Sequence, residues 1–142
     1  MSARRFLLDT SAILAHFRRE AGWARVQALF EEEGTEILAA SVSLTELARR
    51  LLELDATVEE VHQAVADYQE LLAEVVAVDE RVALTAFDIG CQTTERLPLV
   101  DALIAAAARE RGARLVHRDR HMVAVPSSLV EQLDLAREQD PP

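Results

Sequence analysis

The feature that most constrains the fold is a set of four short runs that are apolar almost throughout, instead of at every second position. They cover residues 5–8, 36–40, 74–78 and 114–117. Continuous apolar runs suit the strands of a parallel sheet that is covered on both faces. Because helical segments separate the runs, the sequence predicts a doubly wound α/β fold.

Helices are predicted between these runs from the spacing of apolar residues and from capping residues. They cover residues 12–20, 22–33, 43–54, 57–72, 79–92 and 98–111. Ser43 with Glu46, and Thr57 with Glu60, have the spacing of a capping box. In this motif the side chain of each residue accepts a hydrogen bond from the backbone N–H of the other. The end of the chain is interpreted as a short strand and turn over 123–129, a last helix over 129–136 and a frayed tail over 137–142.

The composition fits one domain spanning residues 1–142, with 50% hydrophobic residues to fill a core. A lone cysteine, Cys91, cannot form an internal disulfide, which favours a reducing, cytoplasmic compartment. We expect its thiol to be buried and inert. No apolar run is long enough to span a bilayer. Since Asp9 interrupts the first apolar segment, we interpret that segment as a strand and not as a signal peptide.

The net charge of −10 taken alone argues against nucleic acid as a partner, because phosphates need cations. Two features soften that argument. The arginines are clustered, at 4–5, 18–19, 49–50 and between 109 and 120. A metal ion in an acidic site would also add positive charge where a substrate binds.

Two acids come just after predicted strands. Asp9 follows the first run and Asp119 follows the fourth. In parallel sheets with right-handed crossovers, ligands bind beyond the carboxyl ends of the strands, where the strand order reverses. Both acids are therefore expected at the edge where a site would lie. Each also has an ordinary interpretation, Asp9 as a helix cap and Asp119 as a turn residue.

Two further acids lie in predicted helices. Glu46 follows the second run, and its capping-box spacing is the preferred explanation when it is considered alone. Asp101 shares its helical face with Ile104, Ala105 and Ala108, which are all apolar. A carboxylate buried there gains from the helix N-terminus but is costly without a cation or hydrogen-bond partners. That cost favours a functional role over a solvated first-turn acid.

The four acids together carry more weight than any one of them, because all are expected at one edge of the sheet. Converging carboxylates repel one another unless a cation lies between them. Hard divalent cations with oxygen ligands resolve this repulsion, and Mg²⁺ or Mn²⁺ fits the ligand type. Such ions generate hydroxide near neutral pH and stabilise charge in phosphoryl chemistry. The sequence thus predicts a metal site formed by Asp9, Glu46, Asp101 and Asp119.

Four local patterns resemble those of PIN domains, and most closely the toxin ribonuclease of VapBC-type toxin–antitoxin pairs. They are LLDTSAIL from Leu7, SLTELA from Ser43, DALIAAA from Asp101 with Gly112 following, and LVHRDRHM from Leu115. The resemblance covers about residues 6–125. Each pattern is short, but their order and spacing are specific.

This resemblance implies a three-layer α/β/α fold with a central, mostly parallel sheet of four to five strands. It implies cleavage of RNA by a metal-activated water, with Mg²⁺ or Mn²⁺ held by Asp9, Glu46, Asp101 and Asp119 directly or through water. Thr10 would support the site through its hydroxyl or backbone, as would Ser11. The resemblance further implies a homodimer and a cognate antitoxin whose tail covers the acidic pocket.

The chain departs from the family pattern at two positions. His117 stands two residues before Asp119, where Thr or Ser is usual, and Met122 stands where an aromatic residue is common. His117 is interpreted as either a nitrogen ligand or a structural histidine, and Met122 as a core residue. Arg118 and Arg120 are candidates for a bidentate phosphate contact, with surface ion pairs as the alternative.

Other enzymes and binding proteins with acidic or phosphate sites fit less well. A receiver-type signalling domain needs a lysine, and the chain has none. A P-loop enzyme needs a glycine-rich lysine motif. A phosphatase of the haloacid dehalogenase type needs a second acid two residues after the first, where Ser11 stands. A catalytically inactive PIN-like domain that serves only in binding remains the alternative to RNA cleavage.

Overall fold

The computed structural model describes residues 4–137 as a five-stranded sheet between helices. The strands are β1 (Arg4–Leu8), β2 (Thr35–Ala40), β3 (Glu74–Val76), β4 (Arg114–His117) and β5 (Gln132–Asp134). The helices are α1 (Thr10–Arg18), α2 (Trp23–Glu31), α3 (Ser41–Glu53), α4 (Val58–Leu71), α5 (Glu80–Gln92), α6 (Leu99–Glu110) and α7 (Arg120–Val123), followed by a 3₁₀ turn (Leu135–Arg137). The predicted α/β/α fold with a central sheet is confirmed.

The sheet is parallel throughout, with the strand order β3-β2-β1-β4-β5. β1 lies at the centre, so the chain builds outwards from it first through β2 and β3, and later through β4 and β5. The strand order therefore reverses between β1 and β4, where Leu8 pairs with Val116. In folds of this kind the crevice beyond such a reversal is the usual place for a ligand.

Two apolar cores flank the sheet because successive side chains of each strand point to opposite faces. Phe6 and Leu8 of β1 enter the core formed with α1 to α4, while Leu7 enters the core formed with α5 and α6. The second core includes four consecutive buried alanines of α6, residues 105–108. Met122 of α7 is also fully buried there, which confirms its interpretation as a core residue.

Most of the predicted helix starts are confirmed. Thr57 and Glu60 form a complete capping box at the start of α4. Asp79 caps α5 by accepting a hydrogen bond of 3.0 Å from the backbone N–H of Val82. Gly112 follows α6 with a φ of 59°, a left-handed conformation that glycine adopts without a steric cost.

The predicted capping box of Ser43 and Glu46 is wrong. The helix begins two residues earlier, at Ser41, and its N-cap is Ala40, whose side chain offers no hydrogen bond. Ser43 therefore lies inside the first turns of α3, where its hydroxyl is buried without a hydrogen-bond partner. Glu46 is released from capping and is free to contact another element.

The C-terminal predictions are also wrong. Residues 123–129 form the end of α7 and the predicted turn but not the predicted strand, and the predicted helix over 129–136 is replaced by β5 and the 3₁₀ turn. β5 exists because β4 supplies its hydrogen-bonding partners, with Val116 opposite Leu133. Of the predicted frayed tail, residue 137 ends the 3₁₀ turn, and residues 138–142 lie outside the described residues.

Cys91 lies on the outer side of α5 and is exposed, so the expectation of a buried thiol is wrong. Within residues 4–137, no helix combines the length and the apolar character needed to cross a bilayer.

Candidate functional site

Asp9 leaves the carboxyl end of β1 and is almost fully buried, with 2% of its surface exposed. Its Oδ1 accepts hydrogen bonds of 2.7 Å from the Ser11 hydroxyl and 2.8 Å from the Ala12 backbone N–H. The residue is thus the N-cap of α1, as its ordinary interpretation predicts. Both contacts fall on one oxygen, so Oδ2 has no hydrogen bond to any described residue and is left for another ligand.

Glu46 contacts α1 from the neighbouring helix α3. Its Oε1 accepts a hydrogen bond of 2.5 Å from the Thr10 hydroxyl, the first residue of α1. This bond joins the helix after β1 to the helix after β2. It therefore holds the Glu46 carboxylate beside the strand end that carries Asp9.

Asp101 lies in the first turn of α6, with 16% of its side chain exposed. Its pKa is raised to about 7, mainly by burial and in addition by the charges of Asp119 and Glu46. The apolar surroundings predicted from the sequence are observed, since Ile104 and Ala105 are buried. Burial and the neighbouring carboxylates therefore both destabilise the ionised form of Asp101.

Asp119 follows β4 and is positioned by the backbone around it. Its Oδ1 accepts a hydrogen bond of 2.9 Å from the backbone N–H of His121, which caps the short helix α7. Its own backbone N–H donates to Nδ1 of His117 at 3.2 Å. The side chain of Asp119 is 24% exposed, so it lies at the open side of the site.

His117 is fully buried and uses both ring nitrogens within the fold. Nδ1 accepts the bond from the Asp119 backbone, so the ring proton is assigned to Nε2, which lies 2.8 Å from Oε1 of Gln132 in β5. Neither nitrogen is left for a metal. Of its two interpretations, the geometry favours the structural histidine, which fixes the loop that carries Asp119.

His121 is a residue of the site that the sequence analysis missed. Its Nδ1 lies 3.2 Å from Oδ1 of Asp119 and 3.7 Å from Oδ2 of Asp101. One ligand atom from each of these three residues lies within 4.8 Å of the others. The signal in the sequence was its position two residues after Asp119.

The four acids are called the carboxylate cluster from here on. Asp101 lies within electrostatic range of Asp9, Asp119 and Glu46, and Asp9 also lies within range of Asp119. Burial, with smaller contributions from the charges of Asp119 and Asp101, raises the pKa of Asp9 to about 7, although the hydrogen bonds from Ser11 and Ala12 lower it. Among residues 4–137, no arginine forms an ion pair with any carboxylate of the cluster. The negative charge that no arginine pairs with, the unused oxygen of Asp9 and the oxygen-rich donor set fit a hard divalent cation.

Arg118 and Arg120, the two candidates for a phosphate contact, differ in whether their side chains are already engaged. Arg118 donates to the carbonyl of Ala21 at 3.0 Å and lies 3.8 Å from Glu20, so its guanidinium is directed to the connection between α1 and α2. Its backbone N–H donates to the Ser11 hydroxyl at 2.8 Å, which links β4 to Asp9 through one side chain. Arg120 is exposed, and its side chain makes no ion pair or hydrogen bond to another described residue.

The chain is similar to known proteins through a family model and through its fold. The family model described as PIN domain matches residues 6–127, a range that contains the whole carboxylate cluster. A search of curated proteins by sequence finds no match.

Solved structures with this fold include VapBC2 from Rickettsia felis bound to a DNA fragment from its promoter, at 16% identity and a TM-score of 0.72, covering 92% of this chain and 98% of that one. VapBC-1 from nontypeable Haemophilus influenzae also has 16% identity and a TM-score of 0.72, covering 94% and 99%. VapBC-5 from Mycobacterium tuberculosis, a member of the VapBC family of toxin–antitoxin systems, has 23% identity and a TM-score of 0.62, covering 92% and 98%. At these identities the likeness establishes a shared fold.

The raised pKa values predict how the metal-free protein responds to pH. Between about pH 4 and 7, folded chains keep protons on Asp9 and Asp101 that unfolded chains have released. The free energy of unfolding should therefore fall as the pH rises through this window. Asp101→Asn should reduce that fall and stabilise the metal-free fold at pH 8 by on the order of 1 kcal/mol, because solvent near the half-buried group screens the repulsion.

Urea denaturation of EDTA-treated protein at pH 5 and pH 8 measures this difference. Asp88→Asn on the exposed side of α5 is the matched control, since it removes the same charge away from the cluster. Equal stabilisation by the two variants at pH 8 would contradict the prediction.

Proposed function

Because the chain belongs to the PIN domain family, we propose that it is a divalent-metal-dependent endoribonuclease, a hydrolase that cleaves phosphodiester bonds of RNA. The observation that carries the proposal is the convergence of four carboxylates at the strand-order reversal without a paired arginine among the described residues. The carboxylates would hold Mg²⁺ or Mn²⁺ directly or through water. When bound, the metal supplies hydroxide near neutral pH and stabilises charge on the attacking and leaving oxygens.

Each residue of the site has a distinct part in this proposal. Asp9 offers its unused Oδ2, because Ser11 and Ala12 hold the other oxygen in place. Thr10 directs Glu46 towards the cluster through its hydroxyl. His117 plays the same positioning part for Asp119 through that residue's backbone.

His121 adds a nitrogen at the exposed side of the cluster. Because it lies within 3.7 Å of oxygens from both Asp101 and Asp119, it offers either a further ligand atom or a group that carries protons to and from solvent. Its exposed ring would be the first part of the site that an incoming RNA meets.

Metal binding should require the cluster and should respond to pH. In calorimetric titration of EDTA-stripped protein with Mn²⁺, we expect Asp101→Asn to weaken binding by more than about tenfold, since even residues outside the ligand sphere often contribute that much. Wild-type affinity should rise by at least about tenfold from pH 6 to pH 8. The reason is that a bound cation displaces protons from Asp9 and Asp101, whose pKa values are raised to about 7.

The control for the titration is Asp88→Asn, which should bind Mn²⁺ as the wild type does. Affinity that is unchanged in Asp101→Asn, or that falls as the pH rises, would count against a metal site built from these acids.

RNA cleavage should depend on the same residues. With Mn²⁺ present, Asp9→Asn and Asp101→Asn should each lower the rate of cleavage by more than about 100-fold, because each substitution removes charge that the reacting centre needs. The measurement is cleavage of total RNA followed by electrophoresis, with Asp88→Asn as the charge-matched control. Full activity in a clean Asp101→Asn preparation, or no cleavage by the wild type, would support the inactive PIN-like binding domain instead.

A role as the toxin of a type II toxin–antitoxin pair is the second part of the proposal. Proteins of the same fold are known in VapBC complexes, and one of these is described as a toxin–antitoxin system. A cognate antitoxin would then be a partner, and cellular RNA as the substrate would make the cytoplasm the place of action. An antitoxin that covers the acidic site would exclude RNA from the carboxylates.

A homodimer is the third part, and two exposed apolar surfaces support protein partners. One surface lies along α5 and the start of α6, where Leu84, Phe87 and Leu99 are 62%, 70% and 74% exposed. The other lies between α1 and α4, where Phe17 and Leu71 are exposed. Patches of this kind on a folded chain usually mark contacts with another protein.

We assign self-association to the α5–α6 surface because of its charge. A twofold contact brings each side chain close to its own copy, so a surface of few charges repels itself least. Among the described residues that line the groove of this surface, Arg96 carries the only charge. The α1–α4 surface includes Arg19 and Asp67, which suit a partner of different sequence.

Phe87→Ser should convert the dimer to a monomer, because it removes the most exposed aromatic side chain of the proposed contact. Light scattering coupled to gel filtration measures the mass. Phe17→Ser removes an exposed aromatic of the other surface and should leave the mass unchanged. The assignment fails if Phe17→Ser dissociates the dimer and Phe87→Ser does not.

A further inference from the structure

An acidic protein that acts on RNA has to concentrate its few available cations where the strand lies. The chain carries a net charge of −10, and the carboxylate cluster adds repulsion where the phosphodiester would bind. A metal ion neutralises the cluster itself but not the neighbouring phosphates of the strand. Phosphate contacts dominate the affinity of most nucleic-acid complexes, so the arginines that remain unpaired are informative.

Most arginines are occupied by contacts within the fold. The side chains of ten of the fifteen form an ion pair or a hydrogen bond with a described residue, and the guanidinium of Arg19 lies over the ring of Trp23. Within residues 4–137, the arginines without such a contact are Arg25, Arg49, Arg96 and Arg120. These four side chains can accept a phosphate without first breaking a contact.

Arg49 lies next to the carboxylate cluster on α3. It is one turn after Glu46, and residues three apart on a helix are neighbours on its surface. Arg49, Glu46 and Thr10 line one open cavity of about 330 Å³. Arg50 lines the same cavity but is engaged with Glu53 at 2.9 Å, which leaves Arg49 as the available guanidinium there.

Arg120 lies on the other side of the cluster. It directly follows Asp119 at the start of α7 and is exposed. The remaining two unpaired arginines lie on elements that carry none of the clustered acids. Arg25 is on α2, and Arg96 lies before α6 beside the apolar groove.

We propose that Arg49 and Arg120 bind the backbone phosphates on either side of the cleaved bond, so that a single-stranded RNA crosses the cluster from α3 to α7. This inference rests on the proposed function and adds the path of the substrate to it. Guanidinium groups suit phosphate because their fork of N–H donors matches two phosphate oxygens. The strand would be held by its backbone, so this contact carries no sequence preference of its own.

The test measures RNA binding separately from cleavage. The background is the Asp101→Asn variant, which the proposed function makes inactive, and the probe is a fluorescein-labelled single-stranded RNA of mixed sequence. Fluorescence anisotropy gives the Kd over a range of salt concentrations. In this background Arg49→Ala should raise the Kd by about fivefold. It should also make the negative slope of the log association constant against log salt less steep by about 0.7, the value for one contact to a single strand.

Three matched variants separate a local contact from a change in net charge. Arg25→Ala removes the same charge from α2 and should leave both the Kd and the slope within about twofold of the background. Arg50→Ala removes the neighbouring, paired arginine and should have a similarly small effect. Arg49→Lys keeps the charge and should restore most of the slope while recovering less of the affinity.

Equal weakening by Arg25→Ala and Arg49→Ala would overturn the inference, because net charge alone would then explain the loss. A background protein that binds no RNA would overturn it as well. If Arg49→Ala weakens RNA binding selectively but the wild type cuts no RNA, the proposed path is supported and only the nuclease activity fails.

Discussion

Repulsion among carboxylates at one edge of a parallel sheet is the constraint on which the rest of the site depends. Asp9 and Asp101 both have pKa values raised to about 7, first by burial and then by the charge of neighbouring acids. Such an arrangement lowers stability at neutral pH in the absence of a cation. A chain that keeps it at the carboxyl ends of its central strands has a region of negative potential that a divalent cation would relieve.

The surrounding contacts hold the acids in place without neutralising them. Ser11 donates to Asp9 and accepts from the backbone of Arg118, so one hydroxyl joins the ends of β1 and β4. His117 reaches from β4 to Gln132 on β5 while it accepts from the backbone of Asp119. These are neutral hydrogen bonds, which position a carboxylate and leave most of its charge available to a ligand. The edge strand β5 therefore has a part in the site although it carries none of its acids.

The arginines follow a complementary pattern. Ion pairs such as Arg111 with Glu74, and backbone contacts such as that of Arg109 with Leu129, keep most guanidinium groups occupied away from the cluster. A cation close to the acids would compete with the metal, whereas a cation one turn further away would attract the substrate. The separation of paired from unpaired arginines thus gives an acidic protein a local attraction for a polyanion despite its net charge.

Much of the fold could be predicted because local patterns and global packing agree. The apolar runs correspond to β1 to β4, the Thr57 capping box begins α4, and Asp9 follows β1 as expected. The predictions failed where a local pattern had two solutions. Ser43 and Glu46 have capping-box spacing, but α3 begins at Ser41 and the Thr10 hydroxyl takes up the carboxylate. The segment of β5 resembles a helix in sequence because a short run with apolar residues at 129, 130, 133, 135 and 136 does not distinguish helix from strand without knowledge of the neighbouring strand.

The sequence by itself determined the class of the fold, the order of its elements from β1 to β4 and the position of the four acids near strand ends, because these features depend on residues that are close together in the chain. Only the tertiary structure decided which partner each side chain has. It brought His121 to 3.2 Å from Asp119, used both nitrogens of His117, directed Arg118 to the α1–α2 connection and left Arg49 unpaired. Hydrogen bonds and ion pairs join residues far apart in the chain, and their choice depends on distances that no local pattern contains.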